Sequence, residues 1–123
     1  MHRAVLLVVA TAVCAVTVAV GLTAAATTQT RSLRANADGA LKFNKKTLTA
    51  SPGRFRIVMT NPSGSGVPHG IAIEGKGLDK DGKIVQPGHQ SAVTVTLKRG
   101  TYDFYCPYDG HRAKGMRGTI KVS

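Results

Sequence analysis

Cysteine is scarce in this chain, and so is negative charge. The 123 residues hold two cysteines, Cys14 and Cys106, and six Asp and Glu against 17 Lys and Arg. So few thiols exclude a disulfide-stapled scaffold. No stretch shows a helical apolar period and no segment repeats, which excludes a helical bundle or a solenoid. No basic run is interleaved with aromatics, so the formal net charge of +11 does not point to nucleic acid. That charge suits solubility and attraction to anionic envelope surfaces, or steering toward an acidic protein partner. The length admits a single domain at most.

What is present begins with a leader. Met1-His2-Arg3 supplies a positive start, Ala4 to Ala26 is uncharged and largely apolar, and Ala24-Ala25-Ala26 before Thr27 offers small residues to a signal peptidase. Residues 1–26 are therefore expected to be a signal peptide. The chain is expected in the periplasm, outside the cell or at the outer face of the cytoplasmic membrane. The run is also long enough to span a bilayer, so an uncleaved anchor is the competing expectation. Cys14 follows Val13 and lacks the small residue that should precede a lipoprotein cysteine, so it reads as apolar filler. Cleavage after Ala26 would leave Cys106 as a lone thiol. In an exported protein such a thiol is either a reactive liability or in use, and metal ligation is the usual protective use.

Residues 27–38 are small and polar without periodicity and read as a flexible linker. From residue 39 to 123 the pattern is one of short runs bounded by Gly, Pro and Asn. Ala40 to Asn44 and Thr47 to Ala50 alternate. Arg54 to Thr60 sets Phe55, Ile57 and Met59 against Arg54, Arg56 and Val58, as a half-buried strand does. After the Gly-, Ser- and Pro-rich loop Asn61 to Pro68, His69 to Ile73 is again extended. Glu74 to Gly82 reads as an exposed, mobile excursion. Gln90 to Leu97, Thr101 to Cys106 and Arg117 to Val122 complete seven to eight strands, which argues for an all-β sandwich of two sheets.

The chemistry is concentrated between Phe104 and Gly118. Cys106, His111 and Met116 stand on one loop with four residues in each gap. A thiolate, two imidazoles and a weakly held thioether are the donor set of a blue-copper electron-transfer site. The second imidazole must come from elsewhere, and His69, in Val67-Pro68-His69-Gly70, is the best candidate. Taken singly, each of these residues has an ordinary reading as buried thiol, core filler or solvated loop histidine. Their joint occurrence reverses the balance. His89, in Pro87-Gly88-His89-Gln90, reads as a surface turn residue. Structural zinc prefers four strong ligands and no thioether, so the Met argues for copper. Catalytic copper needs an open position or a second metal site, and no further histidine cluster exists, so no enzymatic activity is expected.

With these residues in place, the chain resembles the cupredoxins, the plastocyanin and azurin superfamily. The Cys-x4-His-x4-Met loop is most similar to those of rusticyanin and auracyanin. Likeness extends over Lys42 to Val58, Pro68-His69, Ile84 to Gly88 and Gly100 to Cys106. The resemblance implies a Greek-key β-sandwich holding one type 1 copper ion through His69, Cys106, His111 and Met116. It also implies that backbone N–H groups of Gly70 and Tyr108 face the thiolate, and that electrons pass through His111 within an apolar patch. Gly70 departs from the family, which commonly has Asn there to tie the two ligand segments together.

The expected function is that of an exported monomer carrying single electrons between redox proteins with acidic docking surfaces, with membrane association possible through residues 4–26. Two rivals share parts of the sequence: a protein for copper storage or delivery, and a metal-free envelope adhesion module.

Overall fold

The computed structural model describes residues 10–21 and 27–123. The expected leader spans 1–26, so its positive start and the Ala24 to Ala26 motif lie outside the described residues. No helix of the described residues is long and apolar enough to cross a membrane.

Among the described residues, eight strands form two sheets. In chain order they are β1 (Gln29–Arg34), β2 (Thr47–Ala50), β3 (Gly53–Thr60), β4 (Ala72–Gly75), β5 (Leu78–Asp81), β6 (Gln90–Leu97), β7 (Gly100–Tyr105) and β8 (Arg117–Val122). One sheet runs β1-β3-β6 and the other β2-β8-β7-β4-β5. The chain passes from sheet to sheet five times, so segments distant in sequence become neighbours. Two pairings are parallel, β1 with β3 and β2 with β8.

Alternation explains the core. Phe55, Ile57 and Met59 of β3 are fully buried, while Arg54 and Arg56, at alternating positions, are exposed. Beside the buried three on the same sheet lie Val93, Val95 and Leu97 of β6, and the other sheet contributes Leu48, Ile73, Tyr102, Phe104, Ile120 and Val122. Side chains at every second position thus meet between the layers, as two packed sheets require.

Three expectations need correction. Residues 29–34 are not linker but strand β1, in parallel register with Phe55 to Thr60. Only Leu33 in this edge strand is a large buried apolar residue, and Thr30, Ser32 and Arg34 face outward, so the hydrophobic signal was too thin to read. Conversely, Ala40 to Asn44 is not a strand. Positive φ at Gly39 and hydrogen bonds from Asn36 N–H to Lys42 O and from Lys42 N–H to Ala40 O coil this segment, leaving a single bridge of Ala35 with Phe43. Phe43 still enters the core, its ring 5.7 Å from that of Phe104. Finally, Glu74 to Gly82 is an ordered hairpin, β4 with β5, although its outer strand is largely exposed. The positive-φ turn Gly75-Lys76-Gly77 closes it, which is why Gly flanks the bend.

Candidate metal centre

Cys106 follows the last residue of β7, and Met116 precedes the first of β8. The loop between them is closed by its own backbone. Cys106 N–H donates to Met116 O (3.0 Å), Met116 N–H to His111 O (3.1 Å) and His111 N–H to Tyr108 O (2.9 Å). Because β7 and β8 are paired from Gly100↔Val122 to Tyr105↔Arg117, both ends of this loop are fixed by one ladder.

His69 arrives by a different route. It sits before β4, bridged to Val85 by two backbone hydrogen bonds. Asn61, immediately after β3 and fully buried, organises this region. Its carboxamide donates to Val67 O (2.9 Å) and Val85 O (3.1 Å) and accepts from Ser65 Oγ (2.5 Å). Sequence reasoning took Asn61 only as the start of a loop, and its position before Pro62 was the available signal of a fixed turn.

The three donors converge. Cys106 Sγ lies 3.8 Å from His69 Nδ1 and 3.6 Å from His111 Nδ1, and the two Nδ1 atoms are 3.2 Å apart. Bonds of about 2.0 Å to nitrogen and 2.3 Å to sulfur around one ion in a trigonal plane would set the donors about 3.5 to 3.7 Å apart, so the spacing fits a shared metal. His69 and Met116 are fully buried, and His111 keeps 5% of its surface exposed. His89 is exposed and apart from the cluster.

Electrostatics favours the metal-binding forms of the rings. Burial, and then the nearby His111, lower the His69 pKa to about 4. Its Nδ1 faces His111 and Cys106, while Nε2 is buried without a hydrogen-bond partner. Burial also lowers the His111 pKa, with Lys114 adding to the effect and Asp109 opposing it. Both rings are thus neutral near pH 7, as ligation requires. Cys106 is pushed up by burial, against the pull of N–H groups of Gly70 and Tyr108. The Gly70 N–H lies 3.4 Å from Sγ. These are the two groups expected to face the sulfur.

Outside the ligands, Arg112 anchors the loop to the sheet. Its guanidinium lies 4.0 Å over the Tyr105 ring, pairs with Glu74 and reaches Asp103 at 3.5 Å. The space that the family's Asn side chain would enter is occupied here. A Cβ on Gly70 would meet Ile84 Cδ1 at 2.8 Å, Lys83 O at 3.1 Å and Pro107 Cδ at 3.4 Å, so Ile84 fills that space. Neither Arg112 nor Ile84 was singled out from the sequence.

Residues 30–123 match the family model described as copper binding proteins, plastocyanin/azurin family. The chain belongs to that family. Solved cupredoxins share its fold. Auracyanin B superimposes with a TM-score of 0.68 at 24% identity, over 77% of this chain and 88% of that one. Auracyanin from the photosynthetic bacterium Roseiflexus castenholzii gives 0.66 at 23%, over 81% and 99%. The copper nitrite reductase of Nitrosomonas europaea gives 0.64 at 24%, over 79% of this cupredoxin but 42% of its own chain. No curated protein sequence matches this cupredoxin. Copper is the ion for which its His69, Cys106, His111 and Met116 form a type 1-like donor set.

Proposed function

We propose that this cupredoxin is an exported, monomeric electron carrier in which His69, Cys106, His111 and Met116 would together hold one type 1 copper ion, Met116 supplying the weak thioether donor. The observation that carries the reading is the convergence of two neutral imidazoles and a thiol within 3.8 Å, all buried. When bound, copper supplies a one-electron couple. Soft sulfur and imidazole donors in a fixed array suit both oxidation states, so little rearrangement accompanies transfer.

The protein's own part is to hold that array. The β7–β8 ladder fixes the loop, Asn61 fixes the approach to His69, and the N–H groups of Gly70 and Tyr108 face the sulfur and stabilise its anion. Burial of all the donors leaves little room for a substrate, which favours a carrier over a catalyst. Electrons would pass at His111, the ligand that retains some exposure. The same end of the molecule presents Ile84, 42% exposed, against which a partner could dock. Redox proteins with acidic docking surfaces suit the net positive charge.

Copper-loaded protein starting at Thr27 should show intense visible absorption from thiolate-to-copper charge transfer and the small hyperfine splitting of type 1 copper in electron paramagnetic resonance. Cys106→Ser should abolish both. A colourless protein with an ordinary tetragonal copper signal would reject the carrier reading and favour storage or delivery.

A further inference from the structure

The two poles of the sandwich differ in what they carry. β3 ends at Thr60, next to the Asn61 network that positions His69, so the start of β3 lies at the opposite pole. β1 runs parallel to β3, with Gln29 paired to Phe55, and therefore enters the fold at that opposite pole. The Gln29 side chain is pinned there, donating to Ser51 O (2.9 Å) and accepting from Ser51 N–H (2.8 Å).

The same pole gathers the turns 51–54, 75–77 and 97–101 and the end of β8. Gly53 pairs with Leu97, Gly100 with Val122 and Thr101 with Lys121. A Cβ on Gly100 would lie 3.0 Å from Lys76 Nζ, so the hairpin turn leans on the neighbouring one. These segments bring together Arg54, Lys76, Lys98, Arg99 and Lys121, all exposed, and contain no Asp or Glu side chain. Among the described residues the ion pairs are those of Arg112 with Glu74 and Asp103, so none of the five cations is neutralised. Glu74, Asp79 and Asp103 border this pole, lining one pocket with Gly75 and Thr101, and Arg112 pairs with Glu74 and Asp103; Asp81 lies farther along β5.

We propose that this metal-distal pole docks on an anionic lipid surface, leaving the copper pole turned toward solution. Two observations point to lipid. The uncharged run Ala4 to Ala26 ends two residues before β1, so any hydrophobic attachment it makes delivers the chain to this pole. A basic patch beside such an attachment adds electrostatic hold on an anionic membrane surface. An acidic redox protein, by contrast, would gain no electron route by binding where the distance to the metal is greatest.

Among the described residues, the chain starting at Thr27 contains every strand and every buried core side chain, and residues 10–21 are exposed throughout, so this part is expected to fold by itself. It can be sedimented with vesicles of mixed phosphatidylglycerol and phosphatidylcholine, and with phosphatidylcholine vesicles as control. Binding should be at least about tenfold stronger to the anionic vesicles in about 20 mM salt and be lost in about 0.5 M salt. The triple variant Lys98→Glu, Arg99→Glu, Lys121→Glu should weaken it by about tenfold or more, and the corresponding Gln variant by less. Lys42→Glu, Lys45→Glu, Lys46→Glu carries the same charge change on the loop before β2 and should alter binding by less than about threefold. Equal loss in the two triples would mean attraction by net charge with no oriented face, and would overturn the proposal. So would absence of vesicle binding, including the case where an acidic protein binds through these residues instead.

Discussion

At Gly70 the absence of a side chain is a packing requirement. Its N–H faces the Cys106 sulfur, and the space beyond its Cα is occupied by Ile84, the Lys83 carbonyl and Pro107. Restoring the family's usual residue with Gly70→Asn would place atoms where Ile84 now sits, displacing the segment that bridges to His69. Such overpacking costs about 1 to 3 kcal/mol. Urea unfolding of the metal-free domain should report that loss, and Ile84→Ala should restore part of it. Because the 3.4 Å contact from Gly70 N–H to Sγ would also shift, the charge-transfer band of the copper form should move in the same variant. His69 gives the residue scale its pH dependence. Its pKa is about 4 in the fold and 6.5 in the unfolded chain, because burial and His111 disfavour the proton. The unfolded state therefore binds more protons between these values. Stability of the metal-free domain should be complete above about pH 6.5 and fall by about 3 kcal/mol as the pH drops to 4. Urea midpoints across this range would measure it, and a flat profile would show that the buried ring accepts its proton freely.

Strands differed in how legible they were. β3, β6 and β8 were visible in the sequence because each alternates apolar and polar residues across a buried and an open face. β1 was not, since an edge strand with one large buried side chain carries almost no periodic signal. The metal loop was legible because its donors are local, whereas His69 could be chosen only by the chemistry it would complete. Asn61 and Arg112 depend on which carbonyls and carboxylates arrive from distant segments, and no spacing within the chain announces that. The role of β1 is testable as an element. It pairs with β3 over six positions and buries Leu33 against the core. A chain starting at Asp38 would leave that edge of β3 open and lose Leu33 and Ala35, a combination that invites edge-to-edge association. Compared with a chain starting at Thr27, it should be destabilised by at least about 3 kcal/mol and aggregate on warming. Equal denaturation midpoints would return residues 29–34 to the status of a linker.

On the scale of the whole molecule, metal binding and folding are one equilibrium. Cys106, His111 and Met116 lie within one loop and remain near each other in an unfolded chain, but His69 is carried to them only when both sheets have formed. The folded state should therefore bind copper far more tightly than the unfolded state, and the difference appears as stability. With free copper at about one hundred times the dissociation constant, the gain is about 2.7 kcal/mol. For a domain of this size that raises the unfolding midpoint by roughly 10 to 20 °C. Calorimetry of metal-free and copper-loaded protein tests the gain, and a chelator should reverse it. His69→Ala separates the two sources of affinity. It spares the local loop, so residual copper binding should persist, but most of the thermal gain should vanish because folding no longer supplies a ligand. If His69→Ala kept the full rise in midpoint, the sandwich would contribute nothing to the site that its loop does not already provide.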